Sequence, residues 1–310
     1  MERKALLILH GKQAAHQALR EAVMSRREDG WDLAVRVTWE GGDAERYVDE
    51  ALSLGYRTIV AAGGDGSVRD ITQAMMASGK PDLALAIVPM GTANDFATAA
   101  GIPEDPAEAL ALLDRPPRPV DVIQVNDSYF LNMATGGFGT EVTTQTSEDL
   151  KELLGGAAYL LTGLTRFAEV RPAEGHFRGP DFEWQGEFLA LGLGNGRQAG
   201  GGQRLCPEAC IDDGLMDVAI LPSDMDLLAG VRGLFNSDNG NGNGNGNGNG
   251  EREGLFVRAR VSELEIETPE PMHLNLDGEP LKDQRFKLKV LPGAMGLVVG
   301  EECPMMGVEK

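Results

Sequence analysis

The chain has 310 residues, 42% of them hydrophobic, and carries 48 acidic against 28 basic side chains for a net charge of −20. That length and apolar content suit two globular cores, and the acidic excess excludes general nucleic-acid binding, which needs basic patches to neutralise phosphate. No apolar run reaches the roughly 20 residues of a membrane-spanning helix, and an odd set of cysteines, Cys206, Cys210 and Cys303, argues against a disulfide framework. The expectation is therefore a cytoplasmic protein without a transmembrane segment, repelled by an anionic membrane surface.

In chain order, the apolar runs Lys4–Leu9, Leu33–Val37, Arg57–Ala62, Leu83–Val88 and Pro119–Val125 predict strands. The stretches Gln13–Glu28, Ala44–Leu54 and Val68–Ala77 between the first four are long enough for crossover helices. This βαβ rhythm predicts an α/β, doubly wound and mostly parallel sheet with helices on both faces, in which ligands bind beyond the carboxyl ends of the strands.

One such end carries Gly63-Gly64-Asp65-Gly66-Ser67. Three glycines leave no Cβ in the way of an anion approaching the backbone N–H groups, and a helix N-terminus follows. A tight strand-to-helix turn would use the same residues. A second strand end carries Gly91-Thr92-Ala93-Asn94-Asp95, in which Thr92 and Asn94 either cap a helix or offer polar groups to phosphate or ribose. Two such loops at neighbouring strand ends favour a nucleotide pocket.

Beyond Asp127 the rhythm changes to short β-rich runs, Glu187–Leu193, Met216–Leu221, Leu255–Val261, Leu264–Thr268, Met272–Leu276 and Phe286–Leu291, which predict a sandwich or distorted barrel. Helices are expected at Ser147–Phe167 and Asp224–Leu234. Six Asn-Gly pairs, Asn239–Gly250, hold nothing to bury and predict a disordered surface loop over 236–250. The domains are expected at 1–126, completed by the C-terminal segment 294–310, and at 127–293.

The two glycine loops, together with Asn132–Gly139, Gly194–Gly202, Asp212–Leu215 and Asn275-Leu276-Asp277-Gly278-Glu279-Pro280, resemble the bacterial diacylglycerol-kinase catalytic-domain family and, within it, the YegS-like lipid kinases. The resemblance spans nearly the whole chain. It implies an NAD-kinase-like α/β domain and a β-sandwich domain with the active site in the cleft between them, and Mg²⁺-dependent transfer of the γ-phosphoryl group of ATP to a lipid hydroxyl, as in phosphatidylglycerol or diacylglycerol. Carried over by position, it places ATP on Thr38, Gly64, Asp65, Gly66, Ser67, Val68, Arg69, Asp70 and Thr92. It places a metal, Mg²⁺ with Ca²⁺ as the alternative, on the main-chain carbonyls of Cys210 and Leu215 and the carboxylate of Asp213, and the general base on Glu279. Asp277, two residues before Glu279, is expected to share a face with it and either raise its pKa or help hold a metal.

The chain departs from that family where Arg69-Asp70 follows the glycine loop in place of the usual Asn-Glu, and Ser67 stands for Thr. A kinase of a soluble substrate and a non-catalytic nucleotide- or lipid-binding protein are the competing readings. The expected lipid contact is transient and peripheral at the membrane surface.

The strong acidic excess self-repels, and salt screens that repulsion within about 10 Å at 0.1 M. The melting temperature is therefore expected to rise from low to molar salt. A flat series by differential scanning fluorimetry would overturn this.

Overall fold

The computed structural model describes residues 3–80, 82–137, 172–223 and 256–307. The expected Ser147–Phe167 and Asp224–Leu234 helices and the Asn-Gly tract lie outside the described residues.

The first half of the chain forms a parallel sheet in the order β2-β1-β3-β4, from β1 (Lys4–His10), β2 (Asp32–Thr38), β3 (Thr58–Gly63) and β4 (Ala84–Pro89). The crossovers are α1 (Gln17–Glu28), α2 (Asp43–Ser53) and α3 (Asp65–Ala77). β3 and β4 are continuous apolar runs because both their faces are covered: Ile59, Val60, Ala61, Ala62, Leu85 and Val88 are all 0% exposed. Two short helices, α4 (Asp95–Ala99) and α5 (Pro106–Ala111), lead to β5 (Arg118–Val125).

Two helix starts differ from those predicted. The Gln13–Glu28 stretch splits into a 3₁₀ turn at Gly11–Gln13 and α1 proper, whose start is capped by His16 Nδ1 accepting the Leu19 N–H at 3.3 Å. α3 begins at Asp65, three residues before the predicted Val68. Gly-Asp-Gly-Ser is thus the helix's own first turn, with the Ser67 and Val68 N–H groups donating to the Gly64 carbonyl at 2.9 and 3.1 Å.

The second half is antiparallel: β6 (Ser128–Phe130), β7 (Met133–Gly136), β8 (Ala173–Gly179), β9 (Phe182–Gly194), β10 (Met216–Pro222), β11 (Val257–Val261), β12 (Glu263–Leu276) and β13 (Glu279–Leu297). β9 pairs β8 with its first half and β7 with its second, and β12 changes partners in the same way. The result is a sandwich-like enclosure around Phe177, Phe188 and Phe286, each 0% exposed. The predicted strands Leu264–Thr268 and Met272–Leu276 are one strand, β12, irregular between Glu267 and Met272, where Pro269 and Pro271 have no N–H for the ladder. β6, β7 and β8 were not anticipated, being three to seven residues long or broken by glycine.

β13 belongs to both halves. Its first part pairs β12, its middle pairs β5, and its last residues Gly296 and Leu297 lie parallel to Ala84 and Leu85 of β4. Val298, Val299, Cys303 and Met305 then pack into the same core as β1, β3 and β4.

One buried charge ties α1 to the turn after α5. Arg26, 9% exposed, donates from Nη2 to Asp114 Oδ2 at 2.7 Å, lies over the Trp31 ring at 5.4 Å, and Trp31 Nε1 reaches Asp114 Oδ1 at 3.3 Å. The Arg26 hydrogen bond holds the Asp114 pKa below its ordinary value. A depressed carboxylate contributes stability that is fully present above its unfolded pKa, about 3.9, and is lost as pH falls through the folded value. Asp114 is half exposed, so solvent screens the effect. Asp114→Asn is expected to lower Tm by a few degrees at pH 7 and by progressively less as pH falls below about 3.9; a deficit that stays equal down the acid range would refute the ion-pair origin.

Candidate active site

A cavity of about 490 Å³ opens beyond the carboxyl ends of β1, β3 and β4, within the range of nucleotide-sized pockets. It is lined by Gly63, Gly64, Gly66, Ser67 and Asp70 of the first loop and helix, by Met90, Gly91 and Thr92 of the second loop, and by His10, Lys12 and Gln13 after β1. A shallower hollow of about 330 Å³ runs along α1, but all its lining residues, such as Gln17, Arg20 and Met24, come from that one helix, so nothing converges there.

The two glycine loops are pressed together backbone to backbone. A Cβ on Gly91 would sit 2.5 Å from the Gly64 Cα, and one on Gly63 would meet the Ser67 hydroxyl at 2.3 Å, so neither position admits a side chain. The Met90 N–H donates to the Gly63 carbonyl at 2.8 Å, and Gln13 Nε2 to the Met90 carbonyl at 2.9 Å. Gly64, the residue preceding α3, makes no side-chain cap, which leaves the helix's first N–H groups and positive dipole end at the cavity. Asn94 neither caps α4 nor reaches the cavity. At φ 51° its amide closes a ring with Gly91, accepting the Gly91 N–H at 2.8 Å and donating to the Gly91 carbonyl at 3.1 Å.

Of the residues assigned to ATP by resemblance, Gly64, Gly66, Ser67, Asp70 and Thr92 line this cavity, and the others stand around it. Thr38 ends β2 one strand over, where its Oγ1 accepts the Gly11 N–H at 3.3 Å. Val68 is 6% exposed, so its side chain belongs to the core and only its backbone is on offer. Asp65 faces sideways toward α4, with Oδ1 3.5 Å from the Phe96 N, and burial followed by the Asp95 charge pushes its pKa up. Arg69 turns toward the second half of the chain. Its Nη2 lies 2.5 Å from Asp70 Oδ1 and 3.4 Å from Glu279 Oε2.

Glu279 stands at the first position of β13, opposite Leu276, after the two-residue turn Asp277-Gly278 with φ 47° and 104°. Positive φ at both residues is what an Asp-Gly hairpin turn requires. Asp277 does not share the face of Glu279. Its carboxylate turns inward and accepts the N–H groups of Leu131, Asn132 and Met133 at 2.9, 3.1 and 2.7 Å, which removes it as a metal ligand or close neighbour tuning Glu279. Burial, helped by the Asp65 charge, raises the Asp277 pKa against those three donors.

Two more buried carboxylates hold loops that surround the cleft. Asp95, 4% exposed, accepts the Gly201 and Gly202 N–H groups at 2.9 and 2.6 Å, joining the first half of the chain to the second. Asp121, 2% exposed, accepts the Gly214 and Gly293 N–H groups at 2.6 and 2.9 Å and so fixes the Asp212-Asp213-Gly214 turn. In that turn Asp213 Oδ1 accepts the Leu215 N–H at 2.9 Å, while Oδ2 pairs with Arg260, which also reaches Asp217 at 3.4 Å. Burial lifts the Asp217 pKa to about 6, and Asp212 and Asp213 both bear on Asp121. Arg258 also acts on Asp217 and Arg197 on Cys210, so the fit to a hard divalent cation rests on the oxygen donors at this turn, with the ion sharing or replacing Arg260 at Asp213. Among the described residues no three His, Cys, Asp or Glu side chains converge on one point, so such an ion would lean on the Cys210 and Leu215 carbonyls and on water.

Sequence reasoning missed His10, Lys12 and Gln13, although the end of β1 next to β3 was a signal that topology could have read. It missed the clamps of Asp95, Asp121 and Asp277 altogether, because their partners are backbone N–H groups distant in sequence.

A parallel sheet whose glycine loops open on a cavity, joined to an antiparallel half, matches two family models along the chain. The diacylglycerol kinase catalytic domain matches residues 4–125, and the YegS C-terminal NAD kinase beta sandwich-like domain matches residues 134–299. The chain belongs to the YegS-like lipid kinase family. It is 66% identical over 307 residues to a protein of Alcanivorax borkumensis named "Probable lipid kinase YegS-like", covering 99% of this chain and 100% of that one. A protein of the same name from Pseudomonas aeruginosa is 57% identical over 303 residues, covering 98% and 96%. A crystal structure from Bacillus anthracis titled "putative diacylglycerol kinase" superposes with a TM-score of 0.78 at 26% identity, over 97% of this chain and 96% of that one. No helix among the described residues is long and apolar enough to cross a membrane.

Removing the Asp277 carboxylate strands three backbone donors, each costing about 1–3 kcal/mol when buried without a partner. Asp277→Ala is expected to lower Tm by several degrees. An unchanged Tm would show that water replaces the carboxylate at no cost.

Proposed function

We propose that the protein transfers the γ-phosphoryl group of ATP to a hydroxyl of a lipid or phospholipid such as diacylglycerol or phosphatidylglycerol, with Glu279 as general base. The observation that carries this reading is the meeting of Glu279, from the antiparallel half, with Arg69 and Asp70 at the rim of the glycine-loop cavity. On this reading the domains 1–126 with 294–310, and 127–293, close on the reacting groups from two sides.

The N-terminal turn of α3 and Lys12 receive the phosphates, Thr92 and the Ser67 hydroxyl add hydrogen bonds, and Thr38 borders the nucleotide's far end. Glu279, exposed at its hairpin tip, accepts the proton of the lipid hydroxyl as the new O–P bond forms and the bond from the γ-phosphorus to the β–γ bridging oxygen breaks, releasing ADP. Mg²⁺ would neutralise phosphate charge when bound, and Asp213 with the Cys210 and Leu215 carbonyls is the donor set for a divalent ion, with Ca²⁺ as an alternative occupant. The lipid is met transiently at the membrane surface from the cytoplasm, where ATP is found, and the acidic surface keeps that contact weak and dependent on salt and divalent ions.

Radiolabelled ATP offered with diacylglycerol, phosphatidylglycerol, NAD and fructose 6-phosphate, each with and without Mg²⁺, tests the reading. Label is expected in a lipid product only, and only with Mg²⁺. Glu279→Gln is expected to lower that transfer at least about a hundredfold, at the modest end of what a positioned acid–base group contributes, with ATP binding unchanged. Label on a soluble acceptor would favour a soluble-substrate kinase, ATP binding without transfer a non-catalytic protein, and full activity of Glu279→Gln would remove the base assignment.

A further inference from the structure

The residue with which this chain leaves its family's glycine-loop pattern, Arg69, is also the one that crosses the cleft. Its side chain is 22% exposed, held between α3 and the β12–β13 hairpin, and a single nitrogen, Nη2, faces two carboxylates from two halves of the molecule. Asp70 belongs to the cavity wall and Glu279 to the hairpin tip. These two carboxylates act on each other: the Glu279 charge raises the Asp70 pKa, while Arg69, and more weakly His10, lower it. Burial is the largest influence on Asp70, yet its side chain is about half exposed and that of Glu279 more so, so water screens their repulsion in part, and the contest is decided by the short contacts of Arg69 to both.

A polyphosphate arriving beside Asp70 adds further negative charge at the same place. Without a cation between them, the Glu279 side chain would be pushed out toward solvent, because the hairpin's ties to residues 131–133 are made by Asp277 and not by Glu279. Gly278 donates to Asn275 Oδ1 at 2.7 Å, but both lie within the same hairpin. Asp277 anchors the turn itself to residues 131–133, two residues before the Glu279 side chain. Among the described residues, Arg69 is the contact that ties that side chain to the nucleotide-binding half.

We propose that Arg69 is a positioning residue for the transfer reaction. Its guanidinium holds the Glu279 carboxylate at the mouth of the nucleotide cavity and screens it from Asp70 and from the incoming phosphates. This rests on the assignment of Glu279 as base. Both contacts are made by one nitrogen, so an ammonium, a point charge on a shorter and more flexible stem, reproduces them in part.

Misplacing a reacting group by about 1 Å costs roughly a hundredfold in rate. Arg69→Ala is accordingly expected to lower kcat ten- to a hundredfold with the ATP KM changed less than about threefold, since an interaction made through Glu279 does not bind nucleotide. Arg69→Lys is expected to recover part of the loss, and added guanidinium ion to raise the rate of Arg69→Ala but not of the wild type. Hydrogen exchange at residues 277–281, read without any lipid substrate, is expected to speed up in Arg69→Ala and in Glu279→Gln alike. Wild-type kcat in Arg69→Ala, or a raised ATP KM with kcat unchanged, would overturn the proposal, as would unaltered exchange at the hairpin. The Glu279→Gln rate measured alongside separates the two ideas. An active Glu279→Gln removes the base and this proposal together, whereas an inactive Glu279→Gln beside a fully active Arg69→Ala removes only the role of Arg69.

Discussion

The molecule depends on one strand shared by two sheets. β13 runs from Glu279, pairs in turn with β12 and β5, and ends parallel to β4, so a continuous ladder of backbone hydrogen bonds links the candidate base to the sheet that carries the glycine loops. A strand paired on both edges cannot slide by one residue without turning every buried side chain to the wrong face. Phe286, Leu288 and Val290 point into the antiparallel core and Met295 and Leu297 into the parallel one, so both cores set the register of the same strand.

Buried carboxylates do the finer positioning. Asp95, Asp121 and Asp277 each accept two or three N–H groups from loops distant in sequence, and glycine supplies most of those donors at Gly201, Gly202, Gly214 and Gly293. Such glycines reach φ values of 58° to 96°, which present the N–H toward the carboxylate where a Cβ would be strained. Taking a carboxylate out of water is costly, and several donors to one group are the means by which a fold offsets that cost. The sides of the cleft are therefore held by bonds that would be expensive to leave unmade, which suits the proposed site, where groups from both halves of the chain meet.

An acidic protein that handles a polyanion needs local positive potential rather than net charge. Here it comes from the uncapped start of α3, from Lys12, and from Arg69 placed between Asp70 and Glu279. The same logic operates at the Asp213 turn, where Arg260 stands among several carboxylates. In both places a guanidinium bridges two acidic groups that would otherwise repel one another.

Much of the parallel half was legible because its signals are local. The apolar runs of β1, β3 and β4 and the glycines at Gly63, Gly64 and Gly91 follow from the period of burial and from the absence of room for a Cβ. The antiparallel half was read less well: β12 joins two predicted strands across a proline-broken segment, and short β6, β7 and β8 owe their pairing to strands far along the chain. By itself the sequence determined the alternation of strands and helices, the two glycine loops and the order of motifs that marks the family, since each rests on residues close together. Only the tertiary structure decided that α3 starts at Asp65, that Asp277 turns away from Glu279, and that Arg69 reaches across to it. Those outcomes turn on which distant backbone donors and charges a side chain meets once the chain has folded, and no local pattern carries that information.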